Sequence, residues 1–379
     1  MAWLVIATRV LIFLAGWLAV GTLGEVANHP PPSTDNRFLD LPARWDTGWY
    51  VGVGSGGYRW DGRMGRFENI AFFPAYPLSL RFAATVSGAA DSAVAWNWTG
   101  VVWSTVLFLG ATWYLVRLSC ELGYASYAPW SVCFAATYPF GIYFSLPYTE
   151  SLFLLGCVAA CVHFLRAEFA AALLAGILVG LTRPNGALLS LALALLWLQV
   201  EVWPRLTLWR RHAVRLGLGA TAVLGPALGV ALYSTFVHSL TGDALAWASA
   251  QDGWGRLVQN PVSALTSVGL RVLASPIEMA TQFPADLLNG LFGMAALTLA
   301  YPIGRRLGWG FGAFVASGVV LPLTVGGLAS LGRYTSVLFP LFVYFAVAIP
   351  PSLRPWAAGS LMALQLVVAA LFFTWRPIY

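Results

Sequence analysis

The sequence predicts an all-α polytopic membrane protein. Of its 379 residues 59% are hydrophobic and only 9% are charged, whereas an ordinary soluble domain carries about 25% charged residues. Apolar stretches recur from residue 3 to residue 374, many near the roughly 20 residues that cross about 30 Å of hydrocarbon as a helix. About eleven transmembrane helices are expected, forming a single integral membrane unit over 1–379.

Taken in order, the first apolar stretch is 3–23. It reads as a span and not as a signal peptide, because apolar segments continue to the C-terminus and no small-residue cleavage site follows it. A long polar segment, 24–93, comes next, with Pro30, Pro31, Pro32 and most of the aspartates. Within it, 69–88 is apolar enough to be a competing span, but Pro74, Pro77 and Arg81 suit an interfacial amphipathic segment better. Further spans are expected at 94–116, 127–146, 149–166, 169–183, 185–201 and 214–238. A second polar island covers 239–285, and spans at 286–304, 310–329, 334–349 and 356–374 complete the chain.

Basic residues outnumber acidic ones 21 to 15, and all are arginine. Their grouping in short loops, as in RLTLWRRHAVR (205–215) and at Arg305 and Arg306, reads as the cytoplasmic side of a multi-pass protein of the plasma membrane. Arg117, Arg166 and Arg354 fall on that side too. Counting spans then puts 24–93, Tyr148 to Glu150, Arg183 to Gly186, 239–285 and Arg333 with Tyr334 outside. No basic stripe of the nucleic-acid-binding kind is present. Cys120, Cys133, Cys157 and Cys161 lie in or beside apolar stretches and imply neither a zinc site nor a disulfide framework.

Five polar clusters stand out against this background. RWDTGWYVGVGSGGY (44–58) sets Arg44, Asp46 and Tyr58 among interfacial aromatics and glycines. Asp46 is either a reactive carboxylate or the cap of a helix beginning at Thr47. SLPYTES (145–151) carries Tyr148 and Glu150, a substrate contact or a helix-dipole partner. LTRPNGALL (181–189) interrupts an apolar run with Arg183 and Asn185. An arginine near lipid costs at least about 2.5–3.5 kcal/mol, so it should face a partner, a cavity or the headgroups, and its planar fork suits a phosphate. In 239–256, Asp243, Gln251 and Trp254 could hold hydroxyl groups and a sugar ring. SLGRYTSVLFPLF (330–342) supplies Arg333 and Tyr334, as ligands or headgroup anchors.

RWDTGWY with GGY and AFFPAYPL, then YTESLF, RPNG, GD with Q and W, and GRY with FPLF, occur in an order that resembles the PIG-V type of mannosyltransferase and its bacterial relatives. The resemblance runs from about residue 44 to 342. It implies a GT-C glycosyltransferase fold, an extracytoplasmic active site and a polyprenyl-phosphate-linked mannose as donor, with a glycan, glycolipid or protein hydroxyl as acceptor and membrane lipids as surroundings. It maps the essential Asp of such enzymes onto Asp46, although Trp49 stands where eukaryotic relatives often have His. Asp35, Asp40 and Asp61 are reserve carboxylates. In that reaction Asp46 would act as general base and Arg183 with Arg333 would neutralise the departing phosphate, while Asp243, Gln251 and Trp254 orient the sugar or acceptor. No cofactor is required; a divalent cation, Mg or Mn, is allowed for without any ligand spacing that demands it. A transporter or flippase of a lipid-linked sugar is the alternative.

Overall fold

The computed structural model describes residues 1–379 except Asn28, 63–66, 90–91, Leu257 and Tyr379, and except the side chains of Leu206, Leu208 and Trp209. Among the described residues there are helices and no strand. In chain order they are α1 (Ala2–Leu23), α2 (Arg37–Asp40), α3 (Thr47–Gly56), α4 (Ala75–Ser87), α5 (Ala93–Glu121), α6 (Ala128–Thr137), α7 (Glu150–Leu165), α8 (Phe169–Thr182) and α9 (Leu188–Trp197). They continue as α10 (Ala213–Thr241), α11 (Ala246–Ser249), α12 (Pro261–Ala274), α13 (Pro276–Gln282), α14 (Pro284–Leu307), α15 (Trp309–Gly326), α16 (Leu331–Thr335), α17 (Pro340–Ala348) and α18 (Arg354–Phe373).

The polytopic all-α architecture stands, but the number of full spans is smaller than the apolar stretches suggest. Among the described residues seven helices are long and apolar enough to cross a membrane, or eight if Pro139–Ser145 and α7, bent by 99° at their junction, count as one. The other expected spans are short: α6 has 10 residues, α8 has 14 and α17 has 9. Proline bounds them: α6 ends before Pro139 and α8 before Pro184, neither of which can donate the next helix bond, while Pro340 begins α17 and Pro350 follows its end. Much of the apolar character of α6, α7 and α17 goes with burial in protein. In α7, thirteen of sixteen residues are buried. The 69–88 segment forms the 13-residue α4, which is not among the candidate spans.

Helix direction alternates along the chain, so loops collect at two ends. At one end the tail of α1 meets that of α18, where the Val26 N–H donates to the Thr374 carbonyl at 3.1 Å. Most of the isolated polar clusters lie at this end. At the other end Arg166 pairs with Glu121 at 2.6 Å, Arg215 with Glu201 at 2.7 Å, and the Tyr124 hydroxyl donates to the Arg306 carbonyl at 3.3 Å. The basic clusters thus lie opposite the cavity described below.

Two packing features hold the bundle. Gly176 and Gly180 on α8 face Gly225, Pro226 and Gly229 on α10, four-residue repeats of the small-residue kind that let membrane helices touch backbone to backbone. A Cβ on Gly180 would lie 2.0 Å from the Pro226 carbonyl oxygen, and one on Gly229 would lie 2.2 Å from that of Ile177. In α1, buried Arg9 donates to the carbonyls of Ala136 and Gly141 and to the Ser145 hydroxyl, and stands over the Phe108 ring at 5.2 Å. Among the described residues no carboxylate accepts from it; the carbonyl end of α6 supplies the negative pole.

Gly180→Leu is expected to destabilise the protein by about 1–3 kcal/mol or more, because backbone cannot yield as a side chain can. Gly217→Leu on α10, where a Cβ meets nothing within 4 Å, should be nearly neutral. Thermal unfolding of both variants in the same detergent checks the pair.

Candidate active site

The cluster 44–58 folds as a turn leading into α3. Asp46 occupies the N-cap position, but its side chain makes no cap bond; the capping alternative is not what its carboxylate does. Asp46 Oδ2 instead accepts from Arg333 Nη1 at 2.7 Å. Its backbone N–H donates to the Tyr148 hydroxyl at 3.0 Å, and that hydroxyl donates to the Arg44 carbonyl at 3.0 Å. A phenol from the turn before α7 thereby clamps both sides of Trp45. The clamp has strain to hold, since Trp45 has φ 54°, a conformation that bulky L residues rarely adopt.

Behind Asp46 the charges continue inward. Arg333 Nε donates to Glu150 Oε1, and Arg183 Nη1 donates to the same oxygen at 2.8 Å. Glu150 is fully buried and its Oε2 has no partner. The row Asp46, Arg333, Glu150, Arg183 therefore alternates in sign and sums to zero, which makes two arginines tolerable at this depth. Arg183 reaches it because a residue before proline is driven to extended backbone; it has φ −156°, ψ 148° and ends α8. Arg333 is carried by the five-residue α16, entered through Ser330 at φ 62°. Its guanidinium lies 4.6 Å from the Tyr148 ring and 5.0 Å from that of Tyr143.

These groups border a cavity of about 900 Å³, large enough for a sugar with its linking group. Asp46, Tyr148, Arg183, Asn185, Gln251, Trp254, Arg333 and Tyr334 all line it. The Asn185 Oδ1 atom is buried without a partner. Trp254 meets Trp49 and Phe72 edge-on at 5.6 and 5.5 Å. Residues outside the expected contacts also line it, notably His29, Trp49, Tyr50, Trp375 and Arg256. Arg256 donates to the Tyr334 hydroxyl at 2.8 Å. Burial would raise the Tyr334 phenol, but the guanidiniums of Arg256, Arg183 and Arg333 outweigh it and hold the group below its ordinary value.

The remaining expected contacts sit elsewhere. Glu150 lies behind the cavity wall as the partner of both arginines. Arg44 is buried against Asp40 and Glu25, at 2.6 and 2.7 Å, and donates to the Phe373 carbonyl, so it ties the loop to α18. Tyr58 donates to the Phe72 carbonyl at 2.7 Å. Asp243 is exposed and accepts from the Leu245 N–H at 2.8 Å, closing a turn. Of the reserve carboxylates Asp35, Asp40 and Asp61, none lines the cavity; Asp46 is its one acidic residue among those described. No group of three His, Cys, Asp or Glu side chains able to hold a metal ion occurs among the described residues. All four cysteines are free thiols.

No family model matches the chain, and no curated protein matches it. Several solved structures resemble it, among them three of an oligosaccharyltransferase from Archaeoglobus fulgidus. One, tethered to an acceptor peptide, has a TM-score of 0.48 at 11% identity, over 99% of this chain and 55% of that one. A second, with Zn and sulfate, scores 0.47 at 14% identity over 96% and 53%. A third, with an inhibitory peptide and a dolichol-phosphate, scores 0.46 at 11% identity over 99% and 56%. The chain spans about 55% of the length of these neighbours.

Removing one member of a buried ion pair costs about 3–5 kcal/mol, so Glu150→Gln, which leaves Arg183 without a carboxylate and Arg333 with Asp46 alone, should lower stability by that order. Adding Arg183→Gln removes one orphaned charge and should recover part of the loss. Denaturation midpoints of the two single variants and the double variant test this non-additivity.

Proposed function

We propose that the protein is an inverting membrane glycosyltransferase of the GT-C type. It moves a mannosyl residue from a polyprenyl-phosphate-linked donor to an acceptor hydroxyl of a glycan, glycolipid or protein, on the extracytoplasmic side. The observation that carries the reading is the Asp46–Arg333 pair in one cavity with Arg183. This sets a single carboxylate and a group of guanidiniums around the space where a glycosidic bond would be exchanged. Sidedness is supported by the arginine-rich helix ends, which lie opposite the cavity as short cytoplasmic loops would.

In this reaction the acceptor oxygen attacks the anomeric carbon and the bond from that carbon to the phosphate oxygen breaks. The electron pair leaves with the lipid phosphate, and the acceptor proton passes to Asp46. Oδ2 of Asp46 is engaged by Arg333, which leaves Oδ1, with no hydrogen-bond partner among the described residues, to take the proton. A positioned base typically contributes about 10²–10⁴-fold. Arg333 and Arg183 offset the charge that develops on the leaving phosphate. A phosphate leaves without prior protonation, so one carboxylate suffices where glycoside hydrolases use two. The unpartnered Asn185 Oδ1 offers an acceptor for a sugar hydroxyl, and the edge of Trp254 an apolar wall.

The test is transfer by purified protein in lipid nanodiscs from radiolabelled polyprenyl phosphomannose to a panel of glycan, glycolipid and peptide acceptors, with no ion gradient. Product formation separates an enzyme from a flippase of the same lipid. Asp46→Asn is expected to reduce turnover by about 10²–10⁴-fold while the thermal midpoint stays within a few degrees of the parent. Near-normal turnover in that variant removes Asp46 from the role of base.

A further inference from the structure

We propose that Arg256, set with Arg183 around the Tyr334 ring, is the anchor for a phosphate-ester anion whose apolar tail leaves the cavity past Leu321; naming that ligand as the sugar donor rests on the glycosyl-transfer reading, while the anion site itself does not.

The three guanidiniums on the cavity differ in how far their charge is already compensated. Arg333 gives its N–H groups to Glu150 and Asp46, with the Tyr50 hydroxyl 3.4 Å away, and Arg183 gives Nη1 to Glu150. Arg256 has only neutral acceptors, the Tyr334 hydroxyl at 2.8 Å and the Ser330 hydroxyl at 3.4 Å. Among the described residues no carboxylate pairs with it. A guanidinium carries five donors in a planar fork, so most of Arg256 is unspent. Asp46 and Glu150 balance Arg183 and Arg333, and Arg256 then leaves the cavity with one positive charge in excess.

Tyr334 stands against two of these cations. The guanidinium carbons of Arg183 and Arg256 lie 4.8 and 5.7 Å from the centre of its ring. An anion between two such groups accepts charge-assisted, fork-shaped bonds, for which a phosphate ester is the right shape.

The wall beside this pair indicates where the ligand comes from. Leu321, Pro322 and Val325 of α15 line the cavity, whereas the adjacent Val320, 41% exposed, is not among its lining residues, and α15 is long and apolar enough to span a membrane. The cavity and the outer face of this helix are thus one residue apart. A prenyl chain can remain in the bilayer at that position while its phosphate reaches Arg256. Free phosphate has no such tail.

Binding of decaprenyl phosphate, decaprenol and inorganic phosphate to the purified protein, followed by native mass spectrometry, tests the site without any sugar or acceptor. Decaprenyl phosphate should bind, Arg256→Gln should weaken it by at least about tenfold, and Arg256→Lys should restore part of the loss. Decaprenol binding should be weak and alike in parent and Arg256→Gln. Leu321→Trp, which narrows the opening, should weaken decaprenyl phosphate while leaving inorganic phosphate unchanged. Equal decaprenyl phosphate binding by the parent and by Arg256→Gln with an unchanged thermal midpoint overturns the anchor. Inorganic phosphate binding as tightly as the lipid overturns the membrane route. Lipid binding that depends on Arg256 in a protein that transfers no sugar upholds this site and defeats the enzymatic reading instead.

Discussion

One guanidinium organises the interior. Arg333 holds Asp46 with one nitrogen and Glu150 with another, joining the turn before α3, the start of α7 and the short α16; Arg333 and Glu150 are buried, and Asp46 is half-buried at the cavity. The buried two would be costly alone, because a charge removed from water is tolerated only when it is matched. The surrounding geometry serves the match. Pro184 turns Arg183 inward, Tyr148 clamps the backbone on either side of Trp45, and Ser330 takes a left-handed conformation to launch α16.

Backbone strain collects at the cavity. Four described residues other than glycine have positive φ, and three of them, Trp45, Ser330 and Trp375, border the cavity. Such conformations cost on the order of 1–3 kcal/mol each and persist where the surroundings over-determine them. The bundle provides that excess of determination elsewhere, through a core of tightly enclosed aromatic residues and helices that meet at glycine. Arg9 shows the other way a membrane protein keeps a buried cation, through carbonyl dipoles and no acid at all. An acid there would serve no reaction, whereas the paired acids of the cavity present one exposed carboxylate.

Much of this was legible in the sequence. Arg183 before Pro184 predicted an interruption at a partnered charge, and the clusters carrying Asp46, Tyr148, Gln251, Trp254 and Arg333 do share one cavity. Hydropathy overstated the number of full spans because it cannot tell lipid from protein: α6, α7 and α17 are apolar since other helices enclose them. The roles of Arg44, Tyr58 and Asp243 were hidden for a related reason. A polar residue in a rich motif can be spent on loop structure, and the partners that spend it, Asp40, Glu25, Phe72 and the Leu245 amide, are visible only in three dimensions. Arg256 had a faint signal, an arginine beside Trp254 in an otherwise mostly acidic and neutral loop. What marks it out is the lack of a carboxylate nearby, which no linear reading reveals.

The seam between α8 and α10 has a further consequence. Volume, and not chemistry, dictates what can occupy Gly176, Gly180, Gly225 and Gly229, so drift along lineages should freeze these four positions while neighbouring lipid-facing residues wander. Because α8 terminates in Arg183, that immobility fixes where one of the cavity's cations stands. The cavity thereby inherits its accuracy from residues that have no side chain.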